Sequence, residues 1–183
     1  MALLDLRAES HIALGQFDRA ADDAAAMVAI GEAAKTFGLK AQALNRRALV
    51  QMRQGSLKKA VAAAGQALKS AERSRQKPLM AESLLCLAEA QARTGAGERA
   101  IGSAERAIAL FRELGNASGE GRAQWVLALA AGYLGRGAES RAAAVAALAN
   151  CRQAGDWYGA GNALNMMNEF DVGRQLEIFN QAL

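Results

Sequence analysis

Residues 48–68 read ALVQMRQGSLKKAVAAAGQAL, and the small residues of this segment recur at a fixed interval along the chain. Ala48, Gly55, Ala60, Ala64 and Leu68 mark the registers of one repeating unit. At multiples of 40 residues, the equivalent positions are Ala8, Ala88 and Ala128; Gly15, Gly95 and Gly135; Ala20, Ala100 and Ser140; Ala24, Ala104 and Ala144; and Val28, Ile108 and Leu148. A fixed period of about 20–50 residues is typical of stacked supersecondary units, because each unit is too thin to bury its own apolar face.

The composition favours helix throughout. The 183 residues are 52% hydrophobic but only 5% aromatic, and they include a single proline. Alanine, leucine, arginine, glutamate and glutamine are among the strongest helix formers. The sequence therefore predicts an all-α protein of thin, closely packed helices.

The charge pattern and the cysteines indicate which partners and which cellular compartment to expect. The net charge is +4, and basic and acidic residues are interspersed, whereas a nucleic-acid-binding surface clusters lysine and arginine on one face. No segment has the length of apolar sequence that a membrane span or a signal peptide needs. Cys86 and Cys151 lie at unrelated repeat positions. We therefore expect a cytoplasmic protein with unpaired, half-buried thiols and neither a nucleic-acid nor a membrane partner.

Each repeating unit predicts two antiparallel helices. Gly15 ends the first helix, because glycine adopts the left-handed conformation without a Cβ penalty, and Ala20 and Ala24 then mark the inner stripe of the second. Ser56 is expected to cap a helix N-terminus, and Pro78 fits a first helical turn. The predicted helices are 2–14, 17–35, 39–54, 57–74, 78–94, 98–114, 118–134, 138–154, 157–170 and 172–183.

These registers resemble the tetratricopeptide repeat (TPR), in which a small residue, a glycine and an alanine stand where this chain has Ala8, Gly15 and Ala20. The 40-residue period is similar to the longer-helix variety found in Pins-type scaffolds and in the helical regions of bacterial LuxR-family regulators and cyclase-linked signalling proteins. The resemblance implies one domain, 1–183, forming a right-handed α-solenoid of about four and a half repeats. Their expected bounds are 1–38, 39–77, 78–117, 118–156 and a partial unit, 157–183.

The same resemblance implies binding rather than catalysis. In such a superhelix the first helix of each repeat lines a concave groove for an extended peptide or a helix of a partner protein. The groove positions implied for this chain are Asn45, Leu49, Met52, Leu85, Arg122, Trp125, Leu129 and Asn165. Tryptophan is prominent among interface hot spots, so Trp125 is the strongest candidate anchor, with packing between neighbouring helices as the alternative.

No set of residues predicts a catalytic, cofactor or metal site. His11 is the only histidine, and one histidine with two distant cysteines cannot supply the three or four converging ligands of a zinc site. Asp22 and Asp23 occupy adjacent helical positions and point in different directions. An enzyme or a small-molecule sensor is the third hypothesis, and no convergent polar site supports it.

Large apolar side chains near both ends of the sequence suggest a second function. A free-standing solenoid needs terminal helices with a polar outer face, and these ends are apolar. The residues concerned are Leu3, Leu6, Val172, Leu176, Phe179 and Leu183. Two explanations stay open: the sequence is a fragment of a longer array, or copies of the chain cover the ends in a natural or engineered homo-oligomer.

Overall fold

Antiparallel helix pairs build the chain, in a computed structural model that describes residues 1–167. The helices are α1 (Ala2–Ala13), α2 (Phe17–Ala33), α3 (Phe37–Arg53), α4 (Leu57–Ser74), α5 (Lys77–Arg93), α6 (Gly97–Glu113), α7 (Ala117–Tyr133), α8 (Gly137–Gln153) and α9, which covers 157–167 as far as the described residues extend. Residues 1–167 contain no strand. The all-α prediction is confirmed, and α2 to α8 begin at steps of 20 residues.

Alanine at fixed registers lets the helices pack closely. Ala8, Ala48, Ala88 and Ala128 are each fully buried, and so are Ala20, Ala60, Ala100 and Ser140 in the second helices. Because a methyl group occupies little space, neighbouring backbones approach and exclude water between them. Ser140 replaces an alanine at this register, and its hydroxyl donates a hydrogen bond to the Ala128 carbonyl at 2.6 Å. The predicted packing role of these positions is confirmed.

Every connection between helices passes through one residue in the left-handed conformation. Six of these residues are glycines, with φ between 64° and 79°. At the first turn, Gly15 N–H donates to the Ile12 carbonyl and Gln16 N–H to the His11 carbonyl, which satisfies the helix end. Lys35 and Arg75 occupy the equivalent position with φ of 51° and 56°. The turn therefore repeats every 20 residues. At two of the eight turns within residues 1–167, the residues Lys35 and Arg75 stand in place of the glycine that marks the others in the sequence.

Replacing Lys35 or Arg75 by glycine should stabilise the chain. The left-handed conformation costs a residue with a Cβ about 1–2 kcal/mol of folded-state free energy. Glycine avoids that cost, but its greater freedom in the unfolded chain lowers the free energy of unfolding by about 0.5–1 kcal/mol. We expect Lys35→Gly and Arg75→Gly each to raise the free energy of unfolding by up to about 1 kcal/mol, measured by urea titration. Gly115→Ala, at φ 64°, is the reverse control and should be destabilising. Destabilisation by both glycine variants would contradict this account of the turn.

The helix caps differ in part from expectation. Pro78 lies in the first turn of α5, as predicted. Ser56 occupies the N-cap position of α4, as predicted, but its side chain makes no capping hydrogen bond. The predicted position is therefore confirmed, and the expected hydrogen bond is wrong. Asn116 and Asp156 provide such caps: their side-chain oxygens accept hydrogen bonds from Gly119 and Gly159 N–H, each at 2.8 Å.

An ion pair that the sequence did not indicate joins α1 and α2. Asp23 is only 3% exposed, and its two carboxylate oxygens accept hydrogen bonds from Arg7 Nε at 3.1 and 2.9 Å. The Arg7 guanidinium lowers the pKa of the Asp23 carboxyl, because hydrogen bonds to the ionised form favour it. His11 is half-buried beside this pair, with its Nε2 at 3.9 Å from Asp23 Oδ2. Asp23 therefore has a structural role.

Several predictions lie outside the described residues. They include the last helix, 172–183, the end of the helix that precedes it, and four of the six side chains assigned to self-association. Those four are Val172, Leu176, Phe179 and Leu183.

Candidate partner-binding groove

The first helices of successive pairs form one continuous face of the solenoid. α1 contacts α3, α3 contacts α5, and α5 contacts α7, whereas no two of the second helices α2, α4, α6 and α8 contact each other. Helices that touch at every step lie on the shorter, inner side of a curved stack, and helices that do not touch lie on the outer side. The first helices therefore line the inner face, and all eight predicted groove residues belong to them or to α9.

Two of the predicted groove residues are core residues. Met52 is 7% exposed and packs with Ala60 and Ala90, and Leu85 is 8% exposed within the cluster around Leu84 and Phe111. The assignment of both to a binding surface is thereby corrected, because stacking of the next repeat covers them. Leu49 is half-buried against the Met52 cluster and keeps some accessible surface.

Asn45 differs from the expected hydrogen-bonding residue at the groove surface. Its side-chain oxygen and nitrogen are shielded from water, and neither has a hydrogen-bond partner among the described residues. Unpaired buried amides are unusual, because each costs free energy relative to hydration. A ligand backbone could reach this amide only if neighbouring side chains moved, so the Asn45 amide is not open to a ligand although the residue is half-buried.

An open cleft lies where α7 faces α9. Its volume is about 620 Å³, and it brings together three of the predicted residues: Trp125, Leu129 and Asn165. The remaining lining residues are Arg93, Gly132, Tyr133, Asn162 and Met166. The walls thus combine large apolar side chains with two amides, which is the usual chemistry of a site that holds an apolar group and orients it through a few polar contacts.

Trp125 takes part in both the cleft and the core. Its side chain is half-buried and packs against the clusters that contain Val126 and Ala128, and it also lines the cleft. The two hypotheses for this residue are therefore compatible. Packing fixes the indole in place, and a rigid aromatic surface loses little entropy when a ligand binds.

Arg93 contributes a guanidinium whose position is fixed. Arg93 Nε and one terminal nitrogen donate to Glu89 Oε1 at 3.0 and 2.8 Å, a pair one helical turn apart. Such a charge-assisted pair holds the long side chain in one orientation. Sequence position alone gave no reason to select Arg93, because it belongs to the end of α5 and reaches the cleft only through the stacking of α5 on α7.

Charges of both signs occupy the rest of the inner face. Arg46 Nε donates to Asp5 Oδ1 at 2.7 Å, which ties α3 to α1. Glu82 retains accessible surface, yet the surrounding protein removes enough water to raise the pKa of its carboxyl, and the nearby Arg122 opposes that shift. Arg122 is exposed on α7 but does not line the cleft.

The cysteines are structural rather than reactive. Both are free and Cys86 is half-buried, as expected, whereas Cys151 is buried rather than half-buried. Burial raises the pKa of the Cys86 thiol to about 12, which leaves almost no thiolate at neutral pH. Cys151 is fully buried, and a Cβ at Gly121 would lie 2.6 Å from its sulfur, so this pair sets the approach of α8 to α7.

No group of three or more histidine, cysteine, aspartate or glutamate side chains within residues 1–167 is placed to hold a metal ion. Among the helices of the same range, none is both long enough and apolar enough to cross a membrane.

The comparison with solved structures identifies the fold. No protein-family model and no curated protein matches the sequence. The chain is similar to the crystal structure of a Podospora anserina protein described as a kinesin light chain with nearly identical TPR-like repeats, at 18% sequence identity. The match covers 99% of this chain and 92% of the other, with a TM-score of 0.68. The chain therefore has the fold of a TPR-like helical repeat protein, an α-solenoid of stacked helix pairs.

Proposed function

We propose that this chain is a non-catalytic scaffold whose inner face binds an extended peptide or a helix of a partner protein. TPR-like repeats generally act as protein-interaction scaffolds. The observation that carries the proposal is the cleft between α7 and α9, because it places a fixed indole beside accessible polar groups on the inner face. Met52, Leu85 and Asn45 are omitted from the proposed contact surface because they are covered.

The lining of the cleft indicates how a ligand would bind. Trp125 and Leu129 offer an apolar surface to one large side chain of the ligand, with the buried Met166 behind them. The amides of Asn162 and Asn165 each provide a donor and an acceptor, which matches the N–H and C=O groups of a peptide backbone. The ligand that fits best is a peptide segment with an aromatic or large aliphatic residue that enters the cleft.

Selection from a displayed peptide library tests the proposal. The chain has two tryptophans, so Trp157→Phe leaves Trp125 as the single fluorescent reporter in the cleft. We expect selected peptides to carry a large apolar residue and to shift Trp125 emission on titration. Failure to enrich any peptide, or binders that leave Trp125 emission unchanged, would contradict binding at this site.

Self-association is the second candidate function, and the exposure of α1 favours it. Leu3 is 83% exposed and Leu6 is 61% exposed. Each large side chain left in water forgoes about 1.5–3 kcal/mol of burial, and a second copy of the chain could cover both.

We expect the chain to be larger than a monomer at micromolar concentration, measured by multi-angle light scattering. Leu3→Asp with Leu6→Asp should give a smaller species of unchanged helicity, because the charges oppose burial of this face. Val145→Asp, at an exposed apolar position on α8, is the matched control and should leave the mass unchanged. A monomeric unmodified chain would exclude this function.

A further inference from the structure

The positive charge of the chain is concentrated in α4 and the residues that follow it. Residues 57–77 contain six of the 22 lysines and arginines but only one of the 18 acidic residues. The net charge of the whole chain is +4, so the remainder of the sequence carries a net charge of −1. The basic residues are therefore less evenly distributed than their interspersion along the sequence suggests.

Four of these cations share the outer side of α4. At 100° per residue, Lys58, Lys59, Lys69 and Arg73 fall within an arc of about 100°, and all four are exposed. We call them the α4 basic stripe. Over 15 residues the stripe is about 22 Å long. Its three lysines form no ion pair with any residue in 1–167, and Arg73 lies over the exposed ring of Phe37, 5.5 Å from its centroid.

The stripe opposes the local stability of its own helix. α2, α6 and α8 carry Asp18, Glu98 and Glu139 in the first turn, where an acid complements the helix dipole. α4 has no acid there and begins with Lys58 and Lys59 instead. Lys69 and Arg73, one turn apart, repel each other as well. Departures from a local rule that the neighbouring repeats follow are typical of functional positions.

The stripe is only one helix wide. At the positions equivalent to its four cations, neither adjacent second helix carries net positive charge. Those residues are Asp18, Arg19, Ala29 and Ala33 in α2, and Glu98, Arg99, Ala109 and Glu113 in α6. A nucleic-acid duplex or a bilayer presents anionic charge over a greater width and would also meet these acids. A narrow anionic ligand avoids them.

We propose that the α4 basic stripe is a second docking surface, which binds an acidic segment of a partner protein. It lies on the outer side of the solenoid, on a second helix, and is independent of the inner-face cleft. Carboxylates spaced along such a segment pair with the three lysines, which form no ion pair within residues 1–167, and with Arg73. Because the charges are exposed, binding should weaken as salt rises from about 50 to 200 mM.

A labelled peptide of alternating glutamate and serine is the probe, with an acidic segment of about 7 residues that matches the stripe when extended, and fluorescence anisotropy is the readout. A triple variant should bind the peptide about tenfold more weakly, because each of the three exposed ion pairs it removes contributes about 0.2–1 kcal/mol. Its substitutions are Lys58→Gln, Lys59→Gln and Lys69→Gln. The matched control removes the same charge elsewhere, through Arg19→Gln, Arg99→Gln and Arg152→Gln, and should change affinity less than about twofold.

Lys58→Glu separates binding from folding. It restores the first-turn acid found in the neighbouring second helices, so the melting temperature should rise while affinity for the acidic peptide falls. Equal losses of affinity for the acidic peptide in the stripe and control variants would overturn the proposal. Failure of the unmodified chain to bind the peptide would overturn it as well. Tighter, stripe-dependent binding of duplex DNA or phosphatidylserine vesicles would also overturn it. The Trp125 response to an inner-face peptide should be the same in the stripe variant, which distinguishes this surface from the groove.

Discussion

Trp125→Ala should weaken binding of an inner-face peptide by about 2 kcal/mol or more, roughly 30-fold in Kd. The indole is held by the core clusters beneath it and presents a rigid surface to the cleft, which are the conditions under which a single aromatic residue dominates an interface. Isothermal titration with a peptide selected on the unmodified chain measures the change.

The second tryptophan provides the control for this prediction. Trp157 is 74% exposed and does not line the cleft, so Trp157→Ala should change Kd less than about twofold. Trp125→Ala should also reduce stability, since the residue packs on two clusters, and titrations therefore need a temperature at which both variants remain helical. If stability falls while Kd stays constant, Trp125 serves only the core.

Ala64→Leu should lower the free energy of unfolding by about 1–3 kcal/mol, because a larger side chain at a close helix contact forces neighbouring groups apart. Ala64 is fully buried in a cluster with Ala48 and Ala63, and Cys86 and Leu87 pack against that cluster. Urea unfolding followed by circular dichroism measures the loss, and the helical signature should persist at low urea.

The same helix offers a matched control two residues away. Ala62 is exposed on the outer side of α4, and Ala62→Leu should change the free energy of unfolding by less than about 0.5 kcal/mol. Equal stability of the two leucine variants would mean that Ala64 does not face the helix contact.

The sequence alone predicted the helix pairs and the contacts that hold them. A small residue at a helix contact is a local requirement that recurs with each unit, so Ala48 and its equivalents form a period that is visible along the chain. The turns were predicted where glycine marks them, as at Gly15. Breaks between helices were also predicted after residues 35 and 74, but Lys35 and Arg75 were not identified as left-handed, because no glycine marks that conformation there.

The binding surface was predicted only in part, because it depends on how far one repeat rotates and slides on the next. The resemblance to the tetratricopeptide repeat selected Trp125, Leu129 and Asn165, and all three line the cleft. Whether a residue on that face is open or covered is a property of the stack, and it was the structure that placed Met52 and Leu85 in the core.

Periodicity along the chain determined the fold, since each repeat carries the same small residues in the same register. The tertiary structure alone decided the cleft and its chemistry. Arg93, Tyr133 and Met166 come from three different helices and meet only after the stack has formed. The pair of exposed Arg7 and buried Asp23 is of the same kind, because it occurs in one helix pair and leaves no period in the sequence. What repeats can be recognised from the sequence, and what arises once, from the meeting of distant side chains, requires the structure.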